Sequence, residues 1–172
     1  MSRVALALAV AVALAAPPLA GAQTPWDLGK KAVGQAASGK LEKEINKRLL
    51  DESRKNQCSF KSDSDELDPG CDPKAKRLAN AIVDAKKRLE KAGVRSFKFE
   101  VSGHTDSSGS ADHNKDLSKR RAERMKKELV AKGLPDGDVV AVGLGSERPL
   151  VKPDDTPAKK KKNRRYEVQL RL

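Results

Sequence analysis

The chain has 172 residues, of which 37% are hydrophobic, 35% charged and only 3% aromatic, and its formal charge is +12. That charge favours polyanionic partners, while so few rings exclude a surface that stacks nucleic-acid bases. Beyond the N-terminus no apolar run approaches the roughly 20 residues of a membrane helix, which excludes a multi-span helical membrane protein.

Met1 to Arg3 followed by Val4 to Leu19, closing on Ala20-Gly21-Ala22, has the charged, apolar and small-residue regions of a secretory signal peptide. Residues 1–22 are therefore expected to be cleaved before Gln23. No cysteine stands at that point, so a lipoprotein anchor is not expected. Loss of Arg3 leaves +11, and about 150 residues remain, enough for one modest core plus an extension. In an exported chain, envelope polymers or anionic lipid are the expected partners, not nucleic acid.

Residues 23–57 read as a separate N-terminal segment. Val33, Ala37, Leu41, Ile45 and Leu49 recur at four-residue spacing, which makes one stripe of an amphipathic helix. The stripe packs back on the domain, dimerises, meets an envelope partner, or rests on a membrane surface with Trp26 at the interface. Sequence alone leaves these open.

Cys58 and Cys71 are the only cysteines, and in an exported protein they are expected to form a disulfide. Neither histidine supplies zinc-ligand spacing with them. A short strand, Cys58 to Lys61, precedes an acidic turn with Asp63, Asp65, Glu66 and Asp68. These carboxylates lack the ligand ladder of a calcium loop, so the turn is expected to be solvated and metal-free. Pro69-Gly70 breaks the chain before the second cysteine.

Asp72-Pro73 opens a helix whose inner face is Leu78, Ile82, Ala85 and Leu89, and Gly93 stops it. Ser96 to Ser102 alternates Phe97, Phe99 and Val101 with Lys98 and Glu100 as a half-buried strand. If it shares a sheet with Cys58 to Lys61, the intervening helix implies parallel pairing by a right-handed crossover. Gly103 and Gly109 then bracket a polar turn, His104-Thr105-Asp106-Ser107-Ser108. A helix over Asn114 to Lys132 turns Leu117, Met125 and Leu129 inward. Asp138 to Gly143 is a strand, and Gly145 to Ala158 a proline-rich excursion. Lys159 to Lys162 form a basic turn, either simply solvated or attracting an anionic polymer. Arg165 to Arg171 closes the chain as a strand. The expected fold class is α+β, a small mixed β-sheet with two helices packed on one face, in β-α-β-α-β-β order.

Asp106 leaves a strand end and Arg121 lies about two turns into the next helix, so a carboxylate and a guanidinium converge. Such a pair either clamps a zwitterion, with Asp106 on an ammonium and Arg121 on a carboxylate, or closes on itself as a salt bridge. His104, Asp106 and Ser107 are adjacent on one loop without the relay of a hydrolytic triad, and no catalytic residue or cofactor is expected.

The run Val101-Ser-Gly-His-Thr-Asp106-Ser-Ser-Gly109 is followed by Asn114-x-x-Leu117-Ser118-x-x-Arg121-Ala122. Gly143-x-Gly145-Ser-Glu147-x-Pro149 and Asn163-Arg164-Arg165-Tyr166-Glu167 come next. In this order the blocks resemble the OmpA-like peptidoglycan-binding domain family, over residues 58–172. The resemblance implies a noncatalytic module that grips the diaminopimelate of a peptidoglycan stem peptide and anchors the protein to the wall. It implies that Asp106 receives the ligand's ammonium, Arg121 its carboxylate, and Asn114 and the amides around Thr105 the remaining polar contacts. Arg164 and Arg165 face the glycan or hold the last strand to the loop. Leu117 and Ala122 are packing residues, as is Tyr166, which departs from a small aliphatic usual there. The approach to the last strand is also more basic than is usual. The implied location is the periplasm, with association to the outer membrane as a further expectation. An envelope adaptor or structural protein working through the N-terminal helix is the alternative.

Overall fold

A computed structural model describes the backbone from Pro25 and the side chains from Ser38 through to Leu172. The expected signal peptide, and the side chains of Trp26, Val33 and Ala37, lie outside the described residues. Helix α1 spans Pro25–Lys55, α2 Asp72–Lys91, α3 Ala111–Ala131 and α4 Pro157–Asn163; strands β1, β2 and β3 span Lys98–His104, Val139–Gly143 and Arg165–Arg171. No described helix is long and apolar enough to cross a membrane.

The sheet has the order β2-β1-β3. β1 runs parallel to β2, through the α3 crossover, and antiparallel to β3, so the sheet is mixed. Alternation along β1 sends Phe99 and Val101 fully into the core, where Val168 and Leu170 of β3 meet them. Leu78, Ile82, Ala85 and Leu89 of α2 fill the same core, as do Met125 and Leu129 of α3.

The expected β-α-β-α-β-β order is corrected. Among the described residues there are four helices, in the order α-α-β-α-β-α-β, and only three strands. Cys58 to Lys61 contributes a single bridge, Phe60 to Leu67, and does not join the sheet. Both edges of β1, the expected parallel partner, are taken by β2 and β3, and the outer edge of β3 is covered as well. Asn46 Oδ1, Ser53 Oγ and Gln57 Oε1 accept the backbone N–H groups of Leu170, Val168 and Tyr166 at 2.6, 3.0 and 3.2 Å. Asn46 and Gln57 donate back to the carbonyls of Leu170 and Tyr166. Polar side chains from one face of α1 and its C-terminal extension thus satisfy the edge donors that a strand would otherwise take. Ile45 and Leu49, from the same helix, are buried in the core and Leu41 packs against it.

The Lys159 to Lys162 run is also not a turn, but part of α4, capped by Thr156 Oγ1, which accepts from Lys159 N at 3.3 Å.

One feature of the sheet positions α3 and the side chains it carries. Gly103 and Gly143 are register partners on β1 and β2. A Cβ on Gly103 would lie 2.2 Å from the Ser118 carbonyl oxygen, and one on Gly143 would lie 2.5 Å from Lys119 N. The two glycines let the backbone of α3 rest directly on the strand ends. That contact sets the depth of Asn114 and Arg121.

Candidate functional site

The polar turn leaves β1 at His104 and is braced from three sides. Thr105 N donates to Gly145 O at 2.9 Å, and Gly145 N donates to Ser118 Oγ on α3 at 2.8 Å. Asp154, in the proline-rich excursion, accepts from Ser107 N at 2.9 Å, from Ser107 Oγ at 2.5 Å and from Asn163 Nδ2 at 3.0 Å. Asn114 Nδ2, from the first turn of α3, donates to Ser108 O at 2.7 Å. Within the turn Asp106 Oδ1 accepts from Ser108 N at 2.9 Å, a local turn that sets the carboxylate's direction, and Gly109 takes the positive φ of 84° that reverses the chain.

Asp106 and Arg121 line one open cleft of about 1090 Å³ together with Thr105, Asn114, Arg164 and Arg165. Both are largely buried, with 8% of each residue exposed. They do not pair with each other. Asp106 Oδ2 accepts from Arg164 Nη1 at 2.6 Å. Arg121 donates from Nε to Ser64 O at 2.8 Å and from Nη2 to Lys61 O at 3.2 Å, and its guanidinium lies 5.1 Å from the centre of the Phe60 ring. Neutral carbonyls and a ring hold the cation in place without cancelling its charge. Among the described residues no hydrogen bond falls on Nη1.

The acidic turn therefore does more than face water. Its backbone carbonyls seat Arg121, its base is closed by the Cys58–Cys71 disulfide, and Asp63 Oδ1 lies 2.7 Å from His113 Nε2 on α3. Thr105 Oγ1 is buried at the cleft and makes no hydrogen bond among the described groups. Arg165 braces the frame: its Nε meets Glu167 Oε1 at 3.0 Å, and its Nη groups donate to the carbonyls of Asn163 and Arg148. Sequence reasoning missed Ser118, Asp154 and Asn163 as positioning residues. Ser118 and Asn163 stand inside recognisable blocks, but Asp154 carries no local signal.

The family model of the OmpA family matches residues 59–164, well over half of the chain. The chain belongs to the OmpA family. Outer membrane porin F of Pseudomonas fluorescens is 45% identical over 71 residues, 41% of this chain and 22% of that protein. Peptidoglycan-binding protein ArfA of Mycobacterium tuberculosis is 35% identical over 91 residues, 53% of this chain and 26% of that protein. The match thus spans about a quarter of the length of these relatives. The peptidoglycan-associated lipoprotein of Burkholderia pseudomallei has the same fold, with a TM-score of 0.54 at 23% identity over 67% of this chain and 89% of that one.

In this OmpA-family chain the charges of the site follow from their surroundings. Burial opposes ionisation of Asp106, but the hydrogen bonds from Arg164 and Ser108 outweigh it and hold the carboxyl below its usual range. Burial, with repulsion from Arg164 second, lowers the Arg121 guanidinium, which nonetheless stays charged. Hydrogen bonds from Ser107 and Asn163 bring Asp154 down to about 2. His104, beneath the turn, falls to about 4 because it is buried and faces Arg165, against a smaller opposing pull from Glu167. It is neutral at pH 7 and acts as packing, with Ser102 Oγ 3.3 Å from Nε2. The arrangement offers a ligand an anionic and a cationic contact, held apart on a rigid frame.

Proposed function

We propose that the chain is a noncatalytic peptidoglycan-binding module of the periplasm, associated with the outer membrane, that holds the diaminopimelate side chain of a stem peptide. Asp106 takes the ammonium and Arg121 the carboxylate, while Asn114 and the Thr105 amide hold the turn that carries Asp106. Thr105 Oγ1 offers the ligand a further polar contact, and Arg164 and Arg165 close the cleft on the side of the last strand.

One observation carries this reading: Asp106 and Arg121 share a cleft, each is mostly buried, and each is seated by its own partners instead of by the other. A charged pair of purely structural purpose would close on itself. Kinship with a peptidoglycan-binding protein and likeness to a peptidoglycan-associated lipoprotein support the same ligand class. The ammonium takes the place of Arg164 on Asp106, an exchange of one cation for another.

Cosedimentation with diaminopimelate-type sacculi tests it. The wild-type chain is expected to pellet with the wall, and Asp106→Asn or Arg121→Ala to stay in solution with unaltered circular dichroism. Undiminished pelleting of both variants would sink the assigned site.

A further inference from the structure

Six cationic side chains line the cleft: Arg54, Arg121, Lys161, Lys162, Arg164 and Arg165. The carboxylates among its lining are Asp63 and Asp106, and Glu167 beneath is shared between Arg165, at 3.0 Å, and Arg54, at 3.6 Å. A simple zwitterion brings one charge of each sign and leaves this excess as it was. The exchange at Asp106 adds to it, because an incoming ammonium takes the carboxylate that now compensates Arg164.

Two of these cations are placed by α4. Lys160 Nζ donates to Ser108 Oγ of the turn at 2.8 Å, and Asn163 Nδ2 donates to Asp154 at 3.0 Å. Lys161 and Lys162 lie between these two ties and so are held at the cleft. Their neighbour Lys159 pairs with Asp155 at 2.7 Å, whereas Lys161 and Lys162 have no ion-pair partner among the described residues. Both are exposed, so neither is needed for the core.

A stem peptide carries carboxylates besides that of its diamino acid: the α-carboxyl of its γ-linked glutamate and its C-terminus. Amidation of the glutamate carboxyl removes a charge at nearly constant size. We propose that Lys161, Lys162 and the released Arg164 form a specificity subsite for the α-carboxylate of the γ-linked glutamate, so that the cleft selects free stem peptides over amidated ones. This rests on the reading of the cleft as a stem-peptide site.

The test is a titration of the intact exported chain with two synthetic diaminopimelate-containing stem peptides that differ only in a glutamate carboxyl or carboxamide. The free peptide is expected to bind about fivefold more tightly at low salt, as exposed ion pairs allow. That preference should fade as salt is added. In the K161Q/K162Q variant the free peptide should weaken towards the amidated one, whose affinity is unchanged. If the wild-type chain binds both peptides equally, the specificity is overturned and the site stands. Binding of neither peptide overturns the site and the specificity together. A preference that survives K161Q/K162Q overturns the role of the lysines.

Discussion

Asp106 is held by two kinds of contact that a single substitution separates. Asp106→Asn keeps an oxygen for Ser108 N but discards the charge that meets Arg164. Removing one partner of a hydrogen-bonded charge pair typically costs a complex roughly 2–5 kcal/mol, so titration of this variant with a stem peptide should show a loss of at least about thirtyfold. His104 supplies a test that is independent of ligand. Its folded value, about 4, lies below the ordinary 6.5, so the unfolded chain binds the proton more readily. The contribution of neutral His104 is complete above about pH 6.5 and is lost as pH falls towards 4, up to about 3 kcal/mol. Thermal melts across this window should fall with acidity, and the fall should be shallower in His104→Gln. An equal slope in both proteins would assign the acid sensitivity elsewhere.

At the scale of elements, the packing of α3 on the sheet rests on what Gly103 and Gly143 lack. In Gly103→Ala the new methyl meets backbone, the Ser118 carbonyl, which no rotamer change can move aside. Overpacking of this kind costs about 1–3 kcal/mol or more. The urea midpoint should drop accordingly, and stem-peptide affinity with it, since α3 carries both Asn114 and Arg121. The polar turn and α3 are thus one unit, joined through Ser118 and Gly145. The acidic turn is a second such unit: its composition suggests mere solvation, yet its carbonyls orient the cation of the site. Composition describes side chains, and here the backbone does the work.

For the whole molecule, α1 is the element whose role depends most on distant residues. Asn46, Ser53 and Gln57 serve the edge of β3 more than a hundred positions away, and Ile45 and Leu49 enter the core. The proposed division at Cys58 is tested by truncation. A chain beginning at Gln57 should unfold at lower denaturant and self-associate through the bared strand edge. An unchanged midpoint and a monomeric mass would establish that residues 57–172 suffice alone. What the sequence by itself determined is whatever is written in local periodicity or in chemistry that needs no partner. The alternation of Phe99 and Val101, the inner face of α2, the last strand, the cysteine pair and the ordered blocks around Asp106 and Arg121 are all of this kind. Only the tertiary structure decided that the sheet has three strands, that Arg164 holds Asp106, and that Lys61 and Ser64 seat Arg121. Hydrophobic burial repeats with the period of its element and so leaves a pattern in the chain. A single polar side chain reaching a backbone group far along the chain leaves none, because its partner is chosen by distance in space.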